Sequence, residues 1–417
     1  MTFKSIREKF IFFDFPVVLF SLIPLFLITG PFLSDLSISL ISLLFLFYCI
    51  KNHNFNFFKN KYFYFFLLFW IYLIINSFFN NFNLDSLKIS FFYFRYGVFV
   101  VAIISLLNFD DKFIKYFFYS IFICFLFLIF DGFYQYFKGE NILGWKATHR
   151  VSSFFGDEKI LGSYLSRMWP MFFGLSILYF KKKDKLFFLL LITFILSEVL
   201  IFLSGDRTAF FYINLSAFFV IILSRNLIKL RLITLSSSII LILIISIINP
   251  TAKNRVFNQT LDQMNLNNQN NSEQIYIFSK QHTHHYITAY KIFLDNKTFG
   301  VGVKNFRNVC HKDKYKISEL SCSTHPHNTY IQIISEIGIF GFIFLALIFI
   351  LFCKNIIKHL ILKFKKIEYF TDFQICILSG IAIYLWPFVP TGNVFNNWLN
   401  IILILNLPLL IWSKKSI

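Results

Sequence analysis

Apolar runs of about 20 residues recur along the whole chain, and they constrain its fold more than any other feature. A bilayer core requires roughly 20 apolar residues per helix. About twelve such runs can be marked, near residues 10–29, 31–50, 62–80, 88–107, 113–136, 159–180, 186–203, 208–224, 231–249, 329–352, 370–390 and 396–413. With 57% hydrophobic and 21% aromatic residues, the chain also lies outside the composition range of soluble domains. We therefore expect an all-α polytopic membrane protein of about 12 transmembrane helices, with residues 1–417 forming a single domain in the lipid bilayer.

Basic residues alternate between the two ends of these runs. They precede the first run and follow every even-numbered run, at positions that include Lys4, Lys51, Lys181, Arg225 and Lys365. Because short cytoplasmic loops are enriched in Lys and Arg, this pattern predicts that both termini are cytoplasmic. It also explains most of the formal net charge of +19 without any nucleic acid as a partner.

One long polar segment, residues 250–328, separates the ninth and tenth runs. The charge pattern predicts one large loop there, outside the cytoplasm. Long loops in compact proteins usually contain structure of their own, and residues Tyr286–Leu294 have the pattern of a short amphipathic helix. We expect the Asn-rich part before this helix to be flexible.

Two of the six cysteines, Cys310 and Cys322, fall in this loop, whereas the others lie in or beside apolar runs. An oxidising compartment favours a disulfide between them over free thiols. A zinc site is the rival interpretation, because His311, His325 and His327 are near in sequence. The spacing matches no zinc signature, so a metal is the less favoured alternative.

Charged residues lie close to the predicted external surface in two short links. Asp206 and Arg207 occur in "LSGDRTAF" between the seventh and eighth runs, and Arg150 precedes the sixth run in "RVSSFFGDE". These residues are either ordinary interfacial charges, with Asp206 and Arg207 forming a local pair at a helix start, or a phosphate-binding site. The planar guanidinium of Arg207 suits the second task.

The stretch "THPHNTYIQIISEIGIFG", residues 324–341, brings His325, His327, Asn328 and Glu336 to the edge of the tenth run. A lone histidine there is usually an ordinary interfacial residue. Two histidines around a proline, followed by Asn and an intramembrane Glu, favour a functional site, because imidazole can accept a proton from a hydroxyl near neutral pH. The glycines at 338 and 341 would let another helix approach closely.

Five stretches in order resemble the O-antigen ligase and polymerase superfamily over residues 145–405. They are "RVSSFFGDEKILGSYL", "LSGDRTAF", "FLDNKTFGVGVKNF", the His-Asn pair followed by two glycines in residues 327–341, and "PTGNVFNNWLN". The resemblance implies a membrane glycosyltransferase of the C-type architecture that needs no metal or other cofactor and works on the periplasmic face of a bacterial inner membrane. The donor would be a glycan on undecaprenyl pyrophosphate. The acceptor would be lipid A-core in a ligase, or a lipid-linked glycan in a polymerase.

The resemblance also implies roles for individual residues. His327 would be the catalytic histidine and Arg207 would bind the donor phosphate, while the remaining polar residues of the region would bind substrate or assist: Arg150, Asp206, His325, Asn328 and Glu336. Glu336 or Asp206 would partner His327. The family commonly has a further arginine upstream of "GVGVKNF", where this chain has His282 or His285. Lys304, Arg307 and Arg255 are the cations that would replace it.

Two other functions fit part of this pattern. A polymerase shares the loop and the histidine, although the single large loop after the ninth run favours a ligase. A polytopic transporter or flippase predicts internal symmetry and charges deep within several spans, and the sequence has neither.

Overall fold

The computed structural model describes residues 8–80, 84–147, 149–179, 185–266 and 275–415. These ranges contain no β-strand, and one isolated bridge joins Glu140 to Lys146. The helices are α1 (Phe15–Thr29), α2 (Pro31–Lys51), α3 (Lys61–Phe79), α4 (Leu84–Phe92), α5 (Phe94–Phe109), α6 (Ile114–Lys138), α7 (Leu161–Tyr179), α8 (Lys185–Leu203), α9 (Arg207–Leu223), α10 (Ile228–Ile248), α11 (Thr251–Lys253), α12 (Gln259–Gln263), α13 (Lys280–Asp295), α14 (Phe306–Val309), α15 (Thr329–Phe364), α16 (Asp372–Leu385) and α17 (Asn397–Lys415). The expected all-α fold is confirmed for the described ranges.

Nine helical segments in the described ranges are long and apolar enough to cross a membrane. They are Ile11–Thr29, Pro31–Lys51, Lys61–Phe79, Leu84–Phe109, Ile114–Lys138, Lys185–Leu203, Ile228–Ile248, Thr329–Phe364 and Asn397–Lys414. Each coincides with one of the predicted runs. The multi-pass architecture therefore agrees with the sequence, whereas the exact count of twelve stays a prediction.

The other three predicted runs also form helices, but these are shorter or more polar. They are α7, α9 and α16, and they pack against one another. Nearly all of α7 from Leu161 to Ser176 is buried. A helix surrounded by other helices has no lipid-facing surface to keep apolar, so α7 can carry Arg167, a residue that would be costly in contact with lipid.

About half of the described residues between α10 and α15 are helical. The Asn-rich part, which we expected to be flexible, is helical from Thr251 to Gln263, and residues 267–274 of it lie outside the described residues. Helix α13 is longer than predicted and begins at Lys280, because the Ser279 side chain accepts a hydrogen bond from the His282 N–H and caps it. Its buried residues follow helical spacing and include His285 and Ile292, which gives it one face toward α15.

Helix α15 is interrupted at Gly338, where φ is +66° and ψ is −168°. The loop of residues 297–303 lies against this break: Val301 N–H donates to the Ser335 carbonyl (3.1 Å) and Gly302 N–H donates to the Glu336 carbonyl (2.7 Å). A Cβ at Gly338 would lie 2.2 Å from the Thr298 carbonyl oxygen. The expectation that another helix approaches is therefore wrong for Gly338, because the backbone that approaches it belongs to a loop, and it stays a prediction for Gly341.

Candidate active site

Four histidine rings meet where α13 reaches the start of α15. The ring centroid of His327 lies 4.0 Å from that of His325 and 5.4 Å from those of both His282 and His285. Thus the fold brings together imidazoles from two segments that are at least 40 residues apart in the chain. Among the described residues, no three His, Cys, Asp or Glu side chains form a group that could hold a metal ion.

The hydrogen bonds around His327 favour one of its tautomers. Its Nε2 lies 3.0 Å from the Ser323 hydroxyl, which itself donates to the His325 carbonyl at 2.8 Å. A hydroxyl has one proton, so the Ser323 oxygen accepts from His327 Nε2–H. The His327 Nδ1 is therefore the nitrogen that can take a proton from a substrate.

His325 is held as a neutral imidazole against the segment before α17. Its Nε2 lies 3.2 Å from the Thr391 carbonyl, which can only accept, and its Nδ1 lies 2.9 Å from the Thr324 hydroxyl. The Thr391 N–H donates to the His327 carbonyl at 2.8 Å. Consequently the "PTGN" segment orients both histidines through its backbone.

The histidine cluster is held in the neutral form by its surroundings. Burial, followed by the charges of neighbouring imidazoles, lowers the pKa of His282 and His285 to about 4 and that of His325 to about 3. Burial also lowers the pKa of His327, while the Thr391 carbonyl opposes this effect. An imidazole that is neutral at pH 7 and faces a carbonyl is suited to accept a proton as a general base.

A cluster of three arginines lies beside the histidines. Arg207 Nε donates to the Arg255 carbonyl (3.0 Å), Arg255 Nε donates to the Gly205 carbonyl (3.1 Å), and Arg150 Nε donates to the Ser204 carbonyl (2.8 Å). The charge of Arg207 contributes to the lowered pKa of His282, so Arg207 lies within electrostatic reach of the histidine rings. We call Arg150, Arg207 and Arg255 the arginine cluster.

The arginine cluster has a large excess of positive charge. Its nearest carboxylate is Asp206, whose oxygen lies 4.0 Å from an Arg150 nitrogen. Asp206 also caps α9 by accepting from the Ala209 N–H at 3.1 Å. The sequence-based pairing of Asp206 with Arg207 is thus replaced by capping of α9 and a long contact to Arg150. Neither Arg207 nor Arg255 forms an ion pair with another described residue.

Glu336 does not partner His327, contrary to the sequence-based expectation. This fully buried carboxylate accepts hydrogen bonds from Lys304 N–H (3.1 Å), Phe306 N–H (3.2 Å) and the Gln332 side-chain amide (2.9 Å). Three donors saturate it, so it fixes the turn of residues 303–306 against α15. Burial and the Arg307 charge lower the pKa of Lys304, which places these two cations near one another.

The side chain of Asn328 also forms structural hydrogen bonds. Its side-chain oxygen accepts from the N–H groups of Tyr330 and Ile331, and its amide nitrogen donates to the Pro387 carbonyl at 2.8 Å. It is the N-cap of α15, and the residue is 5% exposed. We therefore assign it to positioning His327, and the earlier expectation of substrate contact does not fit this geometry.

A disulfide joins Cys310 to Cys322, immediately before the residue that binds His327 Nε2. Cys310 belongs to a small core of the loop with Ala289, Ile292 and Phe306. The disulfide thereby ties the segment of Ser323 to this core.

Several residues of the site were missed from the sequence or named only as substitutes. Ser323, Tyr286 and Thr391 contact His327, yet Ser323 and Tyr286 carry no charge and belong to none of the motifs in the sequence. Arg255 lies 48 residues from Arg207, and only the packing of the segment after α10 reveals the pair. The one available signal was the "PTGN" stretch, which contains Thr391.

Comparison with known proteins agrees with this arrangement. Residues 189–346 match the family model described as O-antigen ligase, a region that includes Arg207, Arg255 and all four clustered histidines. No curated protein matches the chain. Residues 189–346 therefore carry a region of the O-antigen ligase family, which supports the resemblance of the chain to the enzyme superfamily of O-antigen ligases and polymerases.

Proposed function

We propose that the protein transfers a glycan from undecaprenyl pyrophosphate to an acceptor hydroxyl on the periplasmic face of a bacterial inner membrane. The observation that supports this most is that Arg207 of the arginine cluster lies within electrostatic reach of His282, whose ring centroid is 5.4 Å from that of His327. A lipid-linked sugar already carries a good leaving group. The enzyme therefore has to stabilise the charge that develops on the pyrophosphate and to deprotonate the acceptor.

In this mechanism Arg207 and Arg255 bind the pyrophosphate by charge-assisted hydrogen bonds. The acceptor oxygen attacks C1 of the donor sugar as its proton passes to His327 Nδ1. The bond between C1 and the phosphate oxygen breaks, and its electron pair stays on the released pyrophosphate. The Thr391 carbonyl stabilises the imidazolium, which later returns its proton to the pyrophosphate or to water. We propose that no metal or other cofactor takes part.

The acceptor distinguishes two versions of this function. If the acceptor is lipid A-core, the protein is a ligase, and if the acceptor is a second lipid-linked glycan, it is a polymerase. The single large loop of residues 250–328 favours the ligase. Lipopolysaccharide from a deletion strain separates them. Core without any polymer indicates a ligase, whereas core carrying one repeat indicates a polymerase.

The proposed chemistry is tested with purified protein, lipid-linked donor and acceptor, and no ion gradient. We expect His327→Ala to lower the rate of glycoside formation roughly 100-fold or more, because general-base catalysis is lost. We expect Arg207→Gln to lower this rate as well, because the donor pyrophosphate would bind less tightly. His284→Ala is the matched control, since His284 is on the same helix as His282 but contacts Ser318. Full glycan transfer by His327→Ala would contradict the role of this residue, and a wild-type protein that forms no glycoside would favour a transporter.

A further inference from the structure

A cavity of about 340 Å³ lies next to the segment that contacts the histidines, inside the helix bundle. Its wall includes Thr391, whose carbonyl accepts from His325, and Thr329, the first residue of α15. From there it extends between α3, α15, α16 and α17 along apolar side chains, among them Phe65, Phe69, Phe344, Ile348 and Leu407. The cavity is thus polar at the histidine end and apolar along its length.

Four polar groups at the histidine end of this cavity have no hydrogen-bond partner within the described residues. They are Arg167 Nε, Tyr384 Oη, Asn393 Nδ2 and Asn400 Nδ2. Buried donors without partners are rare in native proteins and require an explanation. Since all four line one cavity and three are N–H donors, a ligand with several acceptor oxygens would satisfy them.

Arg167 is the charge that defines this end of the cavity. It projects from α7, is 5% exposed, and its guanidinium stacks on Tyr212 from α9 (4.7 Å) and Tyr384 from α16 (5.5 Å). It donates to Ser163 but pairs with no carboxylate in the described part of the chain. The other fully buried arginine, Arg231, does have an anionic partner in Glu198.

This contrast indicates what Arg167 binds. An unpaired buried cation is costly, and an anion that enters the cavity would compensate the charge. The apolar walls below it suit one hydrocarbon chain, so the matching ligand is a single-chain lipid with a phosphate head. Its headgroup would lie beside Thr391, next to the His325 and His327 rings.

We infer that the cavity binds the lipid phosphate of the glycosyl acceptor, with Arg167 holding the phosphate. The inference rests on the proposed glycosyl transfer and adds a second substrate site to it. The arginine cluster adjoins the histidines through His282, whereas the cavity adjoins them through His325 and Thr391. Arg167 and the arginine cluster are two groups of cations near one base, and they suit two lipid phosphates. The acceptor is then itself a lipid-linked glycan, so this inference favours the polymerase version of the proposed function, whereas the single large loop of residues 250–328 favours the ligase version.

The first test counts lipids bound to the purified full-length protein by native mass spectrometry, with undecaprenyl phosphate as the probe. We expect two bound lipids for the wild type and one each for Arg167→Gln and Arg207→Gln. Arg225→Gln is the matched control, because Arg225 donates to the Lys366 and Ile367 carbonyls away from both sites. Two lipids on Arg167→Gln would overturn the proposal.

The second test separates acceptor from donor by kinetics. Loss of a charged hydrogen-bond donor should raise the KM for a lipid-linked acceptor about tenfold in Arg167→Gln, with the KM for donor unchanged. Asn400→Leu, which removes an unpartnered buried amide and keeps Arg167, should raise the same KM without impairing folding. A raised donor KM, or no change in either constant, would overturn the assignment. A different outcome is that the wild-type protein forms no glycoside but Arg167→Gln still binds one lipid fewer than the wild type. That outcome would support the lipid site and refute the proposed transfer.

Discussion

At the scale of single residues, Arg255 shows how tertiary contacts select among several cations. The sequence offered Lys304, Arg307 and Arg255 as substitutes for the missing family arginine. Lys304 and Arg307 lie on the turn that Glu336 anchors, whereas Arg255 bonds to Gly205 beside Arg207. We therefore favour Arg255 as the second donor-phosphate ligand.

Replacing Arg255 tests this choice. We expect Arg255→Gln to raise the KM for the lipid-linked donor about tenfold, because one charge-assisted hydrogen bond to phosphate is lost. Lys253→Gln is the control, since this exposed lysine lies two residues away. An unchanged donor KM in Arg255→Gln, combined with an increase in Arg307→Gln, would move the role to Arg307.

His285 predicts how stability depends on pH. The His285 side chain is fully buried, and within the described residues neither ring nitrogen has a hydrogen-bond partner of normal geometry. Burial lowers its pKa from 6.5 to about 4. A lowered histidine pKa means that the unfolded state binds the proton more tightly. Stability is therefore complete above pH 6.5 and is lost as the pH falls toward 4.

The pH effect is measured as the unfolding temperature of the purified protein between pH 8 and pH 4. A shift of this size corresponds to on the order of 3 kcal/mol, so we expect a clear fall below pH 6.5. His285→Gln should flatten the curve, whereas His311→Gln, at an exposed position, should not. Equal curves for the wild type and His285→Gln would refute this linkage.

At the scale of elements, the break in α15 determines where the loop of residues 297–303 docks. Without a break, the Ser335 and Glu336 carbonyls would bond within the helix. At Gly338 they instead accept from Val301 and Gly302, and Ile339 N–H donates to the Lys297 carbonyl. This places Glu336 against the turn that it anchors.

We expect Gly338→Ala to destabilise the protein by roughly 3 kcal/mol or more, because its backbone region is nearly exclusive to glycine and a Cβ would meet the Thr298 carbonyl. Gly139→Ala separates the two causes. Gly139 has a φ of +84° but open space around its Cβ, so its cost should be about 1–2 kcal/mol. Thermal unfolding of both variants gives the comparison, and equal losses would show that the close approach costs nothing.

At the scale of the whole molecule, topology decides which compartment the histidines face. The charge pattern predicts that α13 lies outside the cytoplasm and that the link between α15 and α16 lies inside. Lys280 and Glu368 are exposed residues in these two places.

Cysteine labelling in intact cells tests the topology. In a Cys353→Ser background, Lys280→Cys should react with a membrane-impermeant maleimide, whereas Glu368→Cys should react only after permeabilisation. The remaining free cysteines Cys49, Cys124 and Cys376 are buried and should stay unlabelled. The opposite labelling pattern would place the site in the cytoplasm and refute the proposed periplasmic reaction.

The sequence by itself determined the helical membrane class and most of the helix positions, and it predicted roles for His327 and Arg207. Apolar run length and short motifs are local properties, and a bilayer forces backbone hydrogen bonds to be satisfied within each span. It could not determine which cations join Arg207, which tautomer His327 adopts, or that Glu336 and Asn328 support structure.

Only the tertiary structure decided these points, because each depends on residues distant in the chain. Arg255 reaches Arg207 through packing of the segment after α10, and Thr391 reaches His325 from 66 residues away. Arg167 illustrates the same limit, since a cation in an apparent membrane span is explained only when α9 and α16 place Tyr212 and Tyr384 around it. The role of a side chain depends on its neighbours, and the tertiary fold determines which residues those neighbours are.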